Sequence, residues 1–437
     1  MKAHHNLAAR WGTPLYVYEL DRVTAAYRDL RNSLPPGVMI YYSLKANPHP
    51  DIARALREAE RWPSCRAEIS SIGELAAALE AGFAAEECLY TGPGKTEHEL
   101  TTAITVGVRL FSVESLTDLE RAGSVAMNLG CVIDCLLRIN SVSSAAATSI
   151  RMMGKPSQFG IDSETLGAQL PELRTVPGTR LAGAHFYSQS NARDEASLLG
   201  ELTQSVAAAA QLEADHGLPM KILDIGGGFA APYAVPGERP QYRRMRVELG
   251  NALDANFPHW RSGVPQVICE SGRYLVGDCG ELVSSVINIK ESRGSRFVIL
   301  DAGINTLGGM AGLGRLMPLA VKPDDAHSPD ASGAAGAAGA AGAATLVGPL
   351  CTPGDVLGRS VRLHSLEAGD IVTIPNVGAY GVTASLLLFL SRPAPQEIVL
   401  RNGEVLTVSQ LQVRRSAGGD QDSSLSTDTT PQLNGQG

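Results

Sequence analysis

Residues 38–48 read Val38-Met39-Ile40-Tyr41-Tyr42-Ser43-Leu44-Lys45-Ala46-Asn47-Pro48, and their reading decides the fold. The first five are a β-type run, and Pro48 soon blocks its continuation. The pattern predicts a strand over Val38–Lys45 and an amphipathic helix over Ile52–Glu60. A lysine at such a strand end stands at the rim of a sheet or barrel. There its amine can attack a carbonyl or hold an aldehyde as a Schiff base. Taken alone, Lys45 also fits a solvated surface lysine.

The same unit recurs down the chain. Strands are predicted over Val38–Lys45, Arg66–Ser71, Cys88–Gly92, Val108–Ser115, Cys135–Asn140, Leu181–Ser188, Ile222–Phe229 and Gln266–Tyr274. Helical patterns such as Ile52–Glu60, Ile72–Gly82, Ser115–Met127 and Ala196–His216 lie between them. Ser71-Ile72-Gly73-Glu74 is a capping box that opens one of these helices. Eight alternations over roughly 240 residues predict an α/β fold with a (β/α)8 barrel. A doubly wound sheet is the alternative, because periodicity does not show closure. The barrel is assigned to residues 22–275.

Beyond residue 275 the pattern changes to strands with few helices: Val283–Ile289, Arg296–Asp301, Ala344–Leu350, Asp370–Pro375 and Glu397–Leu400. These predict a C-terminal β domain over residues 276–415, completed by residues 1–21 through the extended stretch Pro14–Tyr18. The Gly/Ala run at 331–343 is expected to be a flexible surface insertion. The polar tail at 416–437 is expected to be disordered.

Composition excludes several classes. Of the 437 residues, 44% are hydrophobic and 19% charged, which predicts a large folded core. A formal net charge of −8 argues against a nucleic-acid-binding surface. No 18-residue apolar run indicates a membrane span, and Met1-Lys2-Ala3-His4-His5 leads into no signal segment, so a cytoplasmic location is expected. The seven cysteines, at 65, 88, 131, 135, 269, 279 and 351, include no CxxC pair and suit reduced thiols better than disulfides or a metal site.

In a barrel of this type, reactive residues sit at the C-terminal ends of the strands. Here those ends carry Lys45, Glu68-Ile69-Ser70-Ser71, Thr91-Gly92-Pro93-Gly94-Lys95, Arg138-Ile139-Asn140, His185-Phe186-Tyr187-Ser188, Gly226-Gly227-Gly228 and Glu270-Ser271-Gly272-Arg273. The triple glycine lets backbone N–H groups approach an anion, and Arg273 adds a forked donor for the same anion. Both follow the last two barrel strands, where barrels commonly bind phosphate. Lys45 can hold an aldehyde, and Glu270 can pair with a ring nitrogen. Phosphate, aldehyde and basic ring nitrogen together describe pyridoxal 5′-phosphate. A Gly-Gly-Gly alone fits a tight turn equally well, and His185, Cys351 and Tyr380 each have bland readings as core or packing residues.

Lys45 in Tyr-Ser-Leu-Lys-Ala-Asn, Glu74 in Ser-Ile-Gly-Glu-Leu, Gly226–Gly228, Glu270–Arg273, Cys351 and Gly378-Ala379-Tyr380 occur in one order over residues 12–405. In this the chain resembles the ornithine/diaminopimelate decarboxylase family of fold-type III pyridoxal-phosphate enzymes. The resemblance implies a barrel plus β domain and a homodimer with shared active sites. It implies Lys45 as the cofactor's covalent partner and His185 stacked on its ring. Ser188, Gly226, Gly227, Gly228, Gly272, Arg273 and Tyr380 would surround the phosphate, and Glu270 would meet the pyridine nitrogen. Glu68 and Arg138 join the same cofactor set. Cys351 would reach in from the partner subunit as the acid that protonates the carbanion. A glutamate on the ring nitrogen deepens the electron sink, whereas alanine racemases, which share the barrel, have an arginine there. Glu270 therefore implies a decarboxylase.

The substrate-facing motif departs from the best-known members. It reads Gly348-Pro349-Leu350-Cys351-Thr352-Pro353-Gly354-Asp355, with Thr352 where diaminopimelate decarboxylases have glutamate and ornithine decarboxylases aspartate. Thr352 cannot pair with a distal ammonium as a carboxylate does. Thr91–Thr96, Met153–Gly160, His185–Asn191 and Leu350–Pro353 resemble a specialised branch that decarboxylates conjugated amino acids. One such activity belongs to staphyloferrin B siderophore biosynthesis, on a citryl-diaminopropionate conjugate. Another belongs to butirosin biosynthesis, on carrier-protein-linked glutamate. The siderophore-type conjugate is the expectation, with Arg315, Thr352 and Asp355 as substrate-binding candidates. Arg315 alone also fits a surface residue. The alternatives are decarboxylation of a free diamino acid, of a carrier-linked amino acid, or a non-catalytic regulatory homologue.

Overall fold

The computed structural model describes residues 2–60, 64–141, 156–188, 190–192, 194–308, 321, 323, 342–363 and 366–415. Arg315, the tail from residue 416 and most of the Gly/Ala run lie outside these. The strands, in chain order, are β1 (Leu15–Glu19), β2 (Met39–Ser43), β3 (Arg66–Ile69), β4 (Cys88–Tyr90), β5 (Leu110–Val113), β6 (Ile133–Asn140), β7 (Ile161–Asp162), β8 (Thr179–His185), β9 (Ile222–Asp224), β10 (Gln266–Ser271), β11 (Gly280–Ser292), β12 (Ser295–Leu300), β13 (Gly342–Val347), β14 (Val356–Leu363), β15 (Ile371–Ile374), β16 (Gln396–Arg401) and β17 (Glu404–Gln410).

The eight strands β2, β3, β4, β5, β6, β8, β9 and β10 pair in parallel around a closed ring, with β7 added outside on β6. Closure is carried by Leu110↔Asp134 between β5 and β6 and by Tyr41↔Glu270 between β2 and β10. Helices follow the strands because capping side chains stand where the chain must turn. Ser71 accepts from Glu74 N at 3.1 Å, Ser115 from Asp118 N at 3.2 Å and Asp194 from Ser197 N at 2.8 Å. Thr96 and Glu99 form a reciprocal capping box.

The barrel is filled rather than hollow. Tyr41, Leu89, Leu136, Ala182 and Ile268, from β2, β4, β6, β8 and β10, form a separate buried cluster inside the ring. Strand side chains alternate faces. Two residues further on, Ser43, Thr91, Arg138 and Glu270 therefore point the same way as Tyr41, Leu89, Leu136 and Ile268. On β3, β5 and β9 the neighbours Ala67, Ile69, Phe111, Val113 and Leu223 pack into the outer core, which turns Glu68, Ser112 and Asp224 inward. An apolar floor thus carries a polar layer at the C-terminal mouth.

The second sheet has the order β14-β13-β12-β11-β1-β16-β17, with β15 also on β11. The chain start enters it: β1 is antiparallel to β11 and parallel to β16. The helix Lys2–Trp11, unforeseen in the sequence, packs Leu7 against Leu15, Val17, Val283 and Ile398 of this sheet. The strands β14 and β17 were also unforeseen, and Gly342 and Ala343 of the Gly/Ala run belong to β13. Several predicted strands are shorter. The strand β2 ends at Ser43, and Lys45 sits in the 3-10 turn Leu44–Ala46. The strand β9 ends at Asp224, because Gly226 and Gly228 take φ of +71° and +110° and leave strand geometry.

One loop of the β-rich part closes over the barrel mouth. Tyr380 N donates to Ala46 O at 2.7 Å, and Asn47 Nδ2 donates to Gly378 O at 2.9 Å. Gly378 is required by the close approach: a Cβ there would stand 2.0 Å from Val276 O. Tyr380 itself is held at φ +54°, a costly conformation for a bulky residue that the surrounding bonds impose.

Candidate active site

Lys45 stands beside a cleft lined by Ser43, Tyr187, Ser190, Gly228, Phe229, Glu270, Ser271, Gly272, Arg273 and Tyr380. Its Nζ donates to both Glu68 oxygens, at 3.2 and 3.1 Å, and lies 5.6 Å from the Tyr187 ring centroid. The side chain is deep in the fold yet 40% exposed, because it borders the cleft itself. Burial alone would pull the ammonium down, but Glu68 and then Glu270 outweigh it and hold the pKa above the usual lysine value. Burial likewise works against the Glu68 carboxylate. Lys45 and the hydroxyls of Thr91 and Ser43 overcome that and keep it below the usual range.

His185 ends β8 and is 2% exposed. Its Nδ1 is 2.7 Å from Ser112 Oγ, and its Nε2 is 3.5 Å from Glu270 Oε1. Burial, followed by the cations Arg138, Lys45 and Lys95, pushes its pKa well below the usual value, so the ring is a neutral imidazole. Glu270 is pushed up to about 7, first by burial and then by Glu68, against the pull of Lys45 and Arg138. Arg138 donates to Glu114 Oε1 at 2.9 Å and stacks on Phe159, 4.6 Å from its centroid. Arg273 lies 4.8 Å from the Tyr380 ring and 5.8 Å from that of Tyr233, whose hydroxyl donates to Tyr380 O at 3.0 Å.

The residues fit pyridoxal phosphate on three observations. Ser271 Oγ and His185 Nε2 are buried polar atoms with no hydrogen-bond partner among the described residues. Such orphans are costly unless a ligand satisfies them. The glycine turn is bare by necessity: a Cβ on Gly227 would stand 2.0 Å from Glu270 O and one on Gly226 2.2 Å from Phe186 O, so the turn that leads to Gly228 at the cleft carries backbone alone. Lys45 borders the same cleft as Glu270 and Arg273.

The structure gathers Lys45, Gly228, Glu270, Gly272, Arg273 and Tyr380 on the cleft. Glu68 and His185 adjoin it through Lys45 and Glu270. Ser188 is not among the lining residues; Ser190, which hydrogen-bonds Tyr187, takes part instead. Cys351 is exposed, Thr352 is half-buried, and neither lines the cleft. Sequence reasoning missed Ser43, Ser112, Ser190 and Asp224 and placed Thr91 and Tyr187 at strand ends without a role; for those on strands the period-two alternation was the available signal.

The substrate-binding expectation for Asp355 is corrected. Asp355 is 2% exposed, and its oxygens accept the N–H groups of Ile304 and Leu350 at 2.8 and 2.7 Å. Gly303 and Gly348 press against it, so the carboxylate holds the loop rather than facing a ligand. Asp355→Ala is expected to lower unfolding stability by about 2 kcal/mol or more, since two buried amides lose their acceptor. The change would be read as a fall in denaturant midpoint. An unchanged midpoint would contradict the role.

The chain matches the family described as "Pyridoxal-dependent decarboxylase, pyridoxal binding domain" over residues 20–277. It is 33% identical over 401 residues to the L-glutamyl-[BtrI acyl-carrier protein] decarboxylase of Niallia circulans, covering 91% of each chain. It is 28% identical over 394 residues to the 2-[(L-alanin-3-ylcarbamoyl)methyl]-2-hydroxybutanedioate decarboxylase of Staphylococcus aureus, covering 88% of this chain and 93% of that one. Its fold is similar to diaminopimelate decarboxylase from Helicobacter pylori in complex with L-lysine, with a TM-score of 0.77 at 25% identity over 93% of this chain and 95% of the other. With the closed barrel, the added β sheet and a lysine-bearing cleft that suits the cofactor, these likenesses make the chain a member of the fold-type III pyridoxal-phosphate-dependent decarboxylases.

Proposed function

We propose that the protein removes the α-carboxylate from an amino-acid unit joined to a larger group, with a citryl-diaminopropionate-like siderophore intermediate as the first candidate. The observation that carries this reading is Thr352, a neutral residue directly after Cys351 where a free diamino acid would need an anion for its distal ammonium. The S. aureus relative acts, by its name, on an alanine unit amide-linked to a hydroxy acid, which supports this candidate. A second reading, an amino acid carried on an acyl-carrier protein, is favoured by the 33% identity to the glutamyl-carrier decarboxylase. In both, the reacting end is a free α-amino acid and the far end is uncharged at the linkage.

When bound, pyridoxal phosphate supplies an electron sink for the pair left at Cα as CO2 departs. Lys45 would hold its aldehyde carbon, and Glu68, 3.1 Å from Nζ, holds that side chain in place at the cleft. Glu270 would hold the ring nitrogen in its protonated form. The neutral His185 ring would lie against the cofactor ring without adding a competing charge. Arg273, the amides of the glycine turn, Ser190 and Tyr380 would hold the phosphate. Cys351 would return a proton to Cα. Its exposure on one chain, away from the Lys45 cleft, supports delivery from a second copy in a homodimer.

A substrate panel tests the proposal. CO2 release, as kcat/KM, is expected to be about tenfold or more higher for a citryl-diaminopropionate amide or a carrier-bound glutamyl thioester than for free meso-diaminopimelate or ornithine. Thr352→Glu is expected to narrow that ratio by giving a free distal ammonium its partner. Equal rates for free and conjugated substrates would defeat the reading.

A further inference from the structure

Asp224 is a buried acid that the chemistry above leaves unused. It ends β9 and is 0% exposed. Its Oδ1 accepts the N–H of Gly226 at 2.8 Å, which fixes the start of the glycine turn. One polar atom from each of His185, Asp224 and Glu270 lies within 4.8 Å of the others, and the two carboxyls are within hydrogen-bonding reach. Yet Asp224 Oδ2 and Glu270 Oε1 are both buried without a donor among the described residues.

Two ionised carboxylates are acceptors only and cannot bond each other, and like charges this close do not both ionise. One proton must therefore belong to the pair, and the surroundings decide which residue carries it. Glu270 is faced by Lys45 and Arg138, which favour its anion, as well as by Glu68 and His185. Asp224 is faced by Glu270, Glu68, Tyr41, Cys269 and the neutral ring of His185, none of them a cation. Burial first, and then Glu270, raises the Asp224 pKa well above the usual range.

We propose that Asp224 is a positioning residue for Glu270: as a neutral carboxylic acid it donates a hydrogen bond to the Glu270 carboxylate and leaves Glu270 as the one anion available to the cofactor's ring nitrogen. This rests on the pairing of Glu270 with that nitrogen. A cationic partner in place of Asp224 would neutralise Glu270. A second ionised carboxylate would drive Glu270 to take up the proton itself. A neutral donor does neither, and it ties the orientation of Glu270 to the same turn that shapes the phosphate end.

Infrared difference spectroscopy on the cofactor-free protein near neutral pH, with Asp224→Asn, tests the protonation directly. The carbonyl stretch of a buried, protonated carboxyl is expected in the unmodified protein and is expected to vanish in Asp224→Asn. A band kept in Asp224→Asn and lost in Glu270→Gln would put the proton on Glu270 and overturn the assignment. In the loaded enzyme, Asp224→Ala is expected to lower kcat about tenfold, the scale of one lost hydrogen bond to a charged group, and to move the acid limb of the kcat profile upward. Asp224→Asn, which keeps a donor, is expected to recover most of that kcat. Loss of activity in Asp224→Ala with no displacement of the acid limb would mean that Asp224 only holds the Gly226 turn. Failure of the ring-nitrogen pairing shows separately, as a Glu270→Gln variant with unaltered kcat and cofactor absorbance.

Discussion

Lys45→Ala is expected to lose the visible absorbance of lysine-bound cofactor and to lower the rate of CO2 release by about a thousandfold or more, the upper part of the range for removing a group that takes part in bond-making and proton transfer. The fold should survive. Lys45 lies in a short turn after β2, its side chain is 40% exposed, and its one ion pair among the described residues is with Glu68. Removing it does leave Glu68 buried at 1% exposure with no cation in contact, so Glu68 should take up a proton in the variant. The neutral carboxyl carries no buried charge, and the hydroxyls of Thr91 and Ser43 still bond it. Cofactor dialysed into the variant should bind weakly through its phosphate contacts and be removable by gel filtration. Retention of a covalent chromophore in Lys45→Ala would mean that another lysine carries the cofactor.

Glu270→Gln is the second large effect. The carboxylate is 2% exposed and reaches the polar layer from β10, two residues beyond Ile268 of the barrel floor. Glutamine keeps the size and an acceptor oxygen but cannot hold a positive charge on the ring nitrogen. Losing one preorganised electrostatic partner in a water-poor site costs about a hundredfold to a thousandfold in rate. The loss should fall on kcat, with KM little changed, because the carboxylate acts on charge that moves during the reaction. A variant with raised KM and unaltered kcat would assign Glu270 to ground-state binding instead.

Much of this site was legible before any coordinates. Lys45, Glu270 and Arg273 stood out because charged residues closed apolar runs, and the triple glycine because it follows a strand. The alternation of strand and helix foretold the barrel. What stayed hidden depended on closure. Ser112 and Asp224 are single polar residues in strands of four and three residues, and only a closed ring makes their face an interior one. Tyr187 and Ser190 sit past the end of β8, where no period governs direction. Asp355 misled because an acid near Cys351 reads as a substrate contact, whereas the paired close approaches of Gly303 and Gly348 that bury it join distant parts of the chain. The strand β14 was missed because Arg359, Ser360 and Arg362 interrupt its apolar pattern, with Ser360 at φ +52° breaking the alternation. Tyr380 was marked by family resemblance alone; the bond to Ala46 O that draws it to the mouth has no local signature.

Peptide mapping of the cofactor-loaded protein after borohydride reduction tests the arrangement most directly, because it reads which amine the cofactor occupies. The geometry predicts a phosphopyridoxyl group on Lys45 alone, with no labelling of Lys95, which is 2% exposed and ion-paired with Asp118 at 2.8 Å. A label on Lys95 or on any other lysine, or no label on a protein that decarboxylates, would contradict it.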